Sequence, residues 1–199
     1  MSHDETMRTV FGVTLETVVR RILRTFDRAT ASDLESGARW YDEAGSLAAN
    51  MALAHRGDGI DLERAASILS ALSPRTSWNR NVIGAAAFLV SGPTAARRIG
   101  CIGRNVEKAR QAKRDGFAAF GPTSPKTARF ARNIAGDRES VTVDVWAMRV
   151  ASLDEDRLGR KGAYDAVEHA YRLAARRRGV DPATMQATTW IVVRGGRAD

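Results

Sequence analysis

Cysteine is almost missing: the 199-residue chain has one, Cys101. A single thiol excludes an intramolecular disulfide and any four-cysteine zinc or iron–sulfur site built from these residues. Histidine is scarce as well. His3, His55 and His169 lie far apart in the sequence and show no metal-ligand spacing, so neither a metal nor another cofactor is expected. No apolar run approaches the roughly 20 residues of a membrane-spanning helix. Asp4 and Glu5 stand near the start with no apolar stretch behind them, so no signal peptide is expected. The expected location is cytoplasmic, intracellular and nucleoid-associated. Acidic residues are in deficit, with 23 Asp and Glu against 31 Lys and Arg, for a net charge of +8. That balance favours a polyanionic partner, most simply DNA. The plainer alternative is an arginine-rich surface that is only solvated.

What is present reads as helices. The apolar fraction of 44% is enough for a core. Residues 1–12 are expected to be a flexible arm. Thr14 to Thr30 places Leu15, Val18, Val19, Ile22, Leu23 and Phe26 at three- and four-residue steps, with Arg20, Arg21, Arg24 and Arg28 on other faces. Ser32-Asp33-Leu34-Glu35 reads as a capping box opening a helix to about Arg56. Asp61 caps a helix from Leu62 to about Leu72, and Ser77 caps another through Leu89. Gly92-Pro93 is a break, followed by a short helix from Thr94 to Ile99. Arg104 to Arg114 is basic and helical. Ala163 to Arg178 is a clear helix stopped by Gly179, and Asp181-Pro182 opens the last, Ala183 to Val193. The expected fold class is all-α, roughly ten helices without strands. Low-complexity segments and internal repeats are absent.

The most informative stretch is residues 120–150. Gly121-Pro122 breaks the chain, Ser124 is a cap candidate, and Pro125 fits the first helical position. Lys126 then falls in the first turn of a helix reaching about Gly136. Asp144 stands where it caps the next helix, eighteen residues after Lys126. Upstream, Ser73 to Asn81 interrupts an apolar helix with a proline and a polar turn holding Arg75, Trp78 and Asn79.

In these residues the chain resembles the helix-hairpin-helix (HhH-GPD) DNA glycosylases of base excision repair, most closely the endonuclease III-like branch. There a Pro-Gly hairpin leads into a lysine and a helix, and a Val-Asp opens the following helix with an Arg five residues on. Lys126, Asp144 and Arg149 stand in that register. The likeness covers about residues 62–196. This chain departs from the pattern in reading Phe-Gly-Pro-Thr-Ser where the family has Leu-Pro-Gly-hydrophobic-Gly. It also has Val145-Trp146 after the aspartate, where Thr-His is usual, and no acidic residue between Arg64 and Glu107. The catalytic glutamate of the adenine-removing relatives is therefore absent.

The resemblance implies one two-lobed domain over 1–199 with a cleft between the lobes. The hairpin-bearing lobe spans about 62–136, and the second lobe is made of 13–60 plus 137–196. It implies a monomer without the iron–sulfur cluster, acting on DNA. Lys126 is the implied nucleophile and Asp144 the implied catalytic carboxylate. Gly121, Thr123, Ser124, Thr127, Arg129, Arg132 and Lys108 are the implied DNA contacts. Arg75, Trp78, Asn79 and Trp146 are candidates for a wedge in the base stack or for a base pocket. Each has a plainer alternative: a pure N-cap for Asp144, a solvated or phosphate-binding lysine for Lys126, core packing for Trp78. The expected activity is cleavage of an N-glycosidic bond at a flipped base, with possible abasic-site lyase chemistry. The alternatives are a transferase that modifies the base of hypermodified DNA without excision, and a DNA-binding module without activity.

Overall fold

The structure is a computed structural model and describes residues 1–195. Among these residues it is all-α, with no strand. The ten α-helices are α1 (His3–Thr6), α2 (Leu15–Phe26), α3 (Ala31–Ala54), α4 (Leu62–Leu72), α5 (Trp78–Arg98), α6 (Gly103–Asp115), α7 (Pro125–Ile134), α8 (Val145–Val150), α9 (Ala163–Arg178) and α10 (Pro182–Val193). None is long and apolar enough to cross a membrane. The chain divides into two compact units. Among the described residues, one holds Met1–Tyr41 and Asp137–Gly195; the other is Asp42–Gly136. The first division falls inside α3, and the second falls just after α7.

In the first unit, α9 lies at the centre, with α2 and α10 against it. Val18, Val19, Ile22, Leu23 and Phe26 of α2 are buried with Met148, Tyr171 and Met185. Fully burying a side chain of this size contributes about 1.5–3 kcal/mol. Ala183, Met185, Ala187, Thr188, Thr189 and Ile191 leave α10 buried along most of its length. Residues 1–12 are not a flexible arm. Ser2 and Glu5 form a reciprocal capping box for α1, and a π-helical turn follows at Met7–Phe11 with Met7 and Val10 buried. The Leu15 N–H donates to Asp4 Oδ1 at 2.8 Å, and Arg157 Nη1 donates to the Val10 carbonyl at 2.7 Å. Two buried apolar anchors and these bonds hold a segment whose composition alone reads as loose. The start of α3 also differs from expectation. Thr30, not Ser32, is the capping residue: its hydroxyl accepts the Asp33 N–H at 3.1 Å, and Asp33 accepts the Thr30 N–H at 2.9 Å. Arg21, expected on an outer face, donates from Nη1 to the carbonyls of Ala151 (3.1 Å) and Ser152 (2.9 Å), closing the end of α8.

In the Asp42–Gly136 unit, α4 is the central helix. Every residue from Ala65 to Leu72 is buried, with α6, α7 and α5 around it. Polar side chains tie the shell to this helix. Ser70 Oγ donates to the Thr127 carbonyl at 2.7 Å, Asn81 Nδ2 to the Leu69 carbonyl at 3.0 Å, and Glu63 accepts the Phe117 N–H at 2.8 Å. The break at Gly92 is real. Its φ of 80° and ψ of −172° interrupt α5 ahead of Pro93, a backbone conformation that only glycine adopts without strain.

Candidate functional site

The expected functional residues fall in both units. Lys126, the turn before it and the Arg75–Asn79 segment belong to the Asp42–Gly136 unit; Asp144, Trp146 and Arg149 belong to the other.

In the Asp42–Gly136 unit, α6 leads through a 3₁₀ turn (Gly116–Ala119) and an exposed turn at Gly121, Pro122 and Thr123 into α7. The Gly121 carbonyl accepts the Ser124 N–H at 2.9 Å, closing that turn. Ser124 stands at the N-cap position, yet its side chain makes no capping bond, contrary to expectation. Pro125 occupies the first helical position, and its fixed φ substitutes for the cap in starting α7. Lys126, Thr127 and Arg129 are half-buried, while Phe130 and Ile134 point into the core. Two of the expected DNA contacts have internal work. Lys108 Nζ donates to Gln111 Oε1 at 2.9 Å and to the Ala119 carbonyl at 3.2 Å, so it braces the 3₁₀ turn. The Arg132 guanidinium lies 5.6 Å over the Phe117 ring while the residue stays exposed.

The turn after α4 is strained at one residue. Arg75 has φ 61°, in the left-handed region that non-glycine residues rarely occupy, at a cost of order 1 kcal/mol. Its neighbours hold it there: the Thr76 N–H donates to the Ser73 carbonyl at 3.1 Å, and Asn105 Nδ2 donates to the Pro74 carbonyl at 3.0 Å. Arg75 and Asn79 are exposed. Trp78 is half-buried and meets Phe130 edge-on, with ring centroids 6.3 Å apart. Ser77, expected as a cap, makes no side-chain capping bond. The Trp78–Phe130 contact ties the start of α5 to α7, and the Ser70–Thr127 bond ties α4 to α7.

In the other unit, Asp144 is held by the chain before it. Residues Val141, Thr142 and Val143 are buried without regular structure, so their backbone groups need side-chain partners. Glu168 Oε1 accepts the Val141 N–H at 3.0 Å. The Tyr164 hydroxyl donates to the Val141 carbonyl at 2.9 Å and accepts the Val143 N–H at 3.0 Å. Asp144 follows directly, and its Oδ1 accepts the Ala147 N–H at 2.9 Å, capping α8 as expected. Beneath it lies a buried hydroxyl network. Tyr41 donates to Gln186 Oε1 at 2.8 Å and has Thr142 as a second hydrogen-bond partner. Burial pushes the Tyr41 hydroxyl above the usual phenol range, and the nearby Asp144 charge adds to the shift. Tyr171 is pushed up for the same first reason, again with Asp144 contributing. Both hydroxyls therefore stay protonated and act as donors. The Arg138 cation lies 6.0 Å over the Tyr41 ring. Trp146 is half-buried with the Arg149 guanidinium 4.6 Å over its ring, so these two side chains pair.

Tyr41, Tyr164, Glu168 and Gln186 carry no local signal in the sequence. Tyr41 reads only as a core aromatic, and its partner Gln186 is 145 residues away. No group of three or more His, Cys, Asp or Glu residues among the described residues is placed to hold a metal, and Cys101 is buried and alone. A four-cysteine cluster therefore does not fit.

A family profile matches residues 4–197, nearly the whole chain. The chain belongs to DUF7178. That family is described only as one of unknown function. No curated protein and no solved structure matches this DUF7178 chain.

Proposed function

We propose that this protein is a DNA glycosylase-like enzyme that cleaves the N-glycosidic bond of a flipped base, with Asp144 as the carboxylate that stabilises the developing sugar cation. The observation that carries the reading is the way Asp144 is held. A carboxylate fixed at a helix start by a clamped, buried segment is preorganised, which is what electrostatic stabilisation of a transition state requires. The net charge of +8 supports DNA as the partner. The strained, exposed Arg75 in the turn after α4 supports a wedge that fills the gap left by the flipped base. The α6-turn-α7 segment acts in this reading as a hairpin on the phosphate backbone, through the exposed Gly121–Thr123 turn. The enzyme is a monomer in the DNA-containing compartment of the cell and needs no iron–sulfur cluster.

The C1′–N bond breaks, and the base leaves with the electron pair and takes up a proton. Water attacks C1′ in simple excision. In the lyase route the Lys126 amine attacks instead, forming a C1′–N bond that becomes a Schiff base once the sugar ring opens. Borohydride reduction of that Schiff base tests the lyase route. Trapping of wild type on an abasic duplex, lost in Lys126→Ala, supports it. Trapping that persists in Lys126→Ala moves the nucleophile elsewhere. Base release without trapping indicates a glycosylase that uses water alone. Base modification without release is the transferase alternative, and DNA binding with neither product is the non-enzymatic module.

A further inference from the structure

A groove of about 380 Å³ lies in the Asp42–Gly136 unit, lined by Phe88, Gly92, Pro93, Arg110, Lys113 and Arg114. None of these residues belongs to the site above. The groove exists because α5 breaks at Gly92 and restarts at Pro93, opening a concavity beside the last turn of α6. Its floor is apolar, and its rim carries three cations from one helix. Arg110 is partly engaged, with Nη1 3.2 Å from Glu107, which also takes Arg97 at 3.3 Å. Arg114 approaches Asp115 at 3.9 Å and donates from Nη1 to the Arg110 carbonyl at 3.4 Å. Lys113 is half-buried, and its ammonium has no acid or hydrogen-bond partner among the described residues. Cations suit the negative end of α6, which accounts for their place in the sequence. It does not account for a lysine without an acid partner among the residues that line an apolar concavity.

An anion from outside supplies that partner. The volume falls within the range of small-ligand sites, about 300–1,000 Å³. A rim of three cations matches a phosphate, and the apolar floor at Pro93 matches a flat ring. We propose that this groove binds a nucleotide, with the phosphate at Arg110, Lys113 and Arg114 and the base over Pro93. The nucleotide is either free or one residue of a single strand. The inference does not depend on the roles given to Lys126 and Asp144.

The test is a binding titration on the full chain with dAMP, deoxyadenosine and a labelled twelve-residue oligo-dT as probes. Lys113→Gln and Arg114→Gln are the groove variants. Arg104→Gln, an exposed α6 cation outside the groove, is the control for general charge loss. For a free nucleotide, dAMP binds saturably, deoxyadenosine binds at least ~10-fold more weakly, and each groove variant weakens dAMP by ~5- to 10-fold. For a nucleotide within a strand, dAMP does not bind, but the groove variants weaken the oligonucleotide clearly more than Arg104→Gln does. Equal binding of deoxyadenosine and dAMP overturns the proposal. So does a Lys113→Gln/Arg114→Gln double variant that keeps wild-type affinity for both probes, or that behaves no differently from Arg104→Gln. Asp144→Asn leaves this binding unchanged, which separates a failure here from a failure of the proposed activity.

Discussion

The Glu168 carboxylate, from a side chain only 2% exposed, accepts the Val141 N–H at 3.0 Å and the Arg172 guanidinium at 2.9 Å. One acid thus satisfies a buried backbone donor and neutralises its own charge against a half-exposed arginine. It fixes the chain three residues before Asp144. Glu168→Ala removes the acceptor of the Val141 N–H. We expect a loss of about 3 kcal/mol, from a stranded donor and a lost buried ion pair. Chemical denaturation measures it. Glu168→Gln keeps an acceptor and should lose less, whereas equal losses would show that hydrogen bonding at Val141 is not what matters.

Gly37 of α3 packs against Thr188 of α10. A Cβ at residue 37 would stand 2.8 Å from the Thr188 Cα, a backbone atom that cannot swing aside. Gly37→Ala should destabilise by about 1–3 kcal/mol despite the better helix propensity of alanine. A melting temperature at or above wild type would mean that the two helices move apart freely.

Asp144 has two duties that substitution separates. Asparagine caps helices nearly as well as aspartate, so Asp144→Asn should change stability by only a few tenths of a kcal/mol. Asp144→Ala should lose about 1 kcal/mol. If the carboxylate charge matters only for capping, both variants should keep whatever activity the wild type has. The proposed chemistry requires both to lose it.

A pH effect is expected at the start of the chain. The His3 and His169 rings stack with centroids 4.3 Å apart. Burial, then the charges of His3, Arg176 and Arg172, hold the His169 ring below its ordinary value of 6.5. The unfolded chain therefore takes up this proton at higher pH than the folded one does. The His169 contribution is complete above pH 6.5 and declines as pH falls from there to the lowered folded value. Thermal unfolding of wild type should show this slope, and His169→Gln should flatten it. The Glu16–Arg177 and Asp27–Arg178 pairs act in a separate window. Their carboxylates are held below 4.5 and 3.8 by their arginine partners, so their contribution is lost only in stronger acid.

Local signals carried much of the fold. Asp61, Asp144 and Asp181 each accept a backbone N–H three residues ahead, as their place before an apolar run implies. Gly179 ends α9 with φ 66°. Capping is decided within four residues, so one sequence suffices to read it. It misleads where proline does the same task, as at Ser124, or where a neighbour competes, as Thr30 does with Ser32. The anchoring of segment 1–12 has no local signal because it depends on α9 and Arg157, far along the chain. The frame around Asp144 has none for the same reason. Tyr41, Tyr164, Glu168 and Gln186 become a set only through contacts 21 to 145 residues apart.

The most direct measurement is mass analysis of free bases released from modified DNA, with wild type and Asp144→Asn compared at matched DNA occupancy. The proposed chemistry predicts that wild type releases a base and that Asp144→Asn binds the same DNA without releasing it. Release at the wild-type rate by Asp144→Asn, or no release of any base by a wild type that binds DNA, would contradict it.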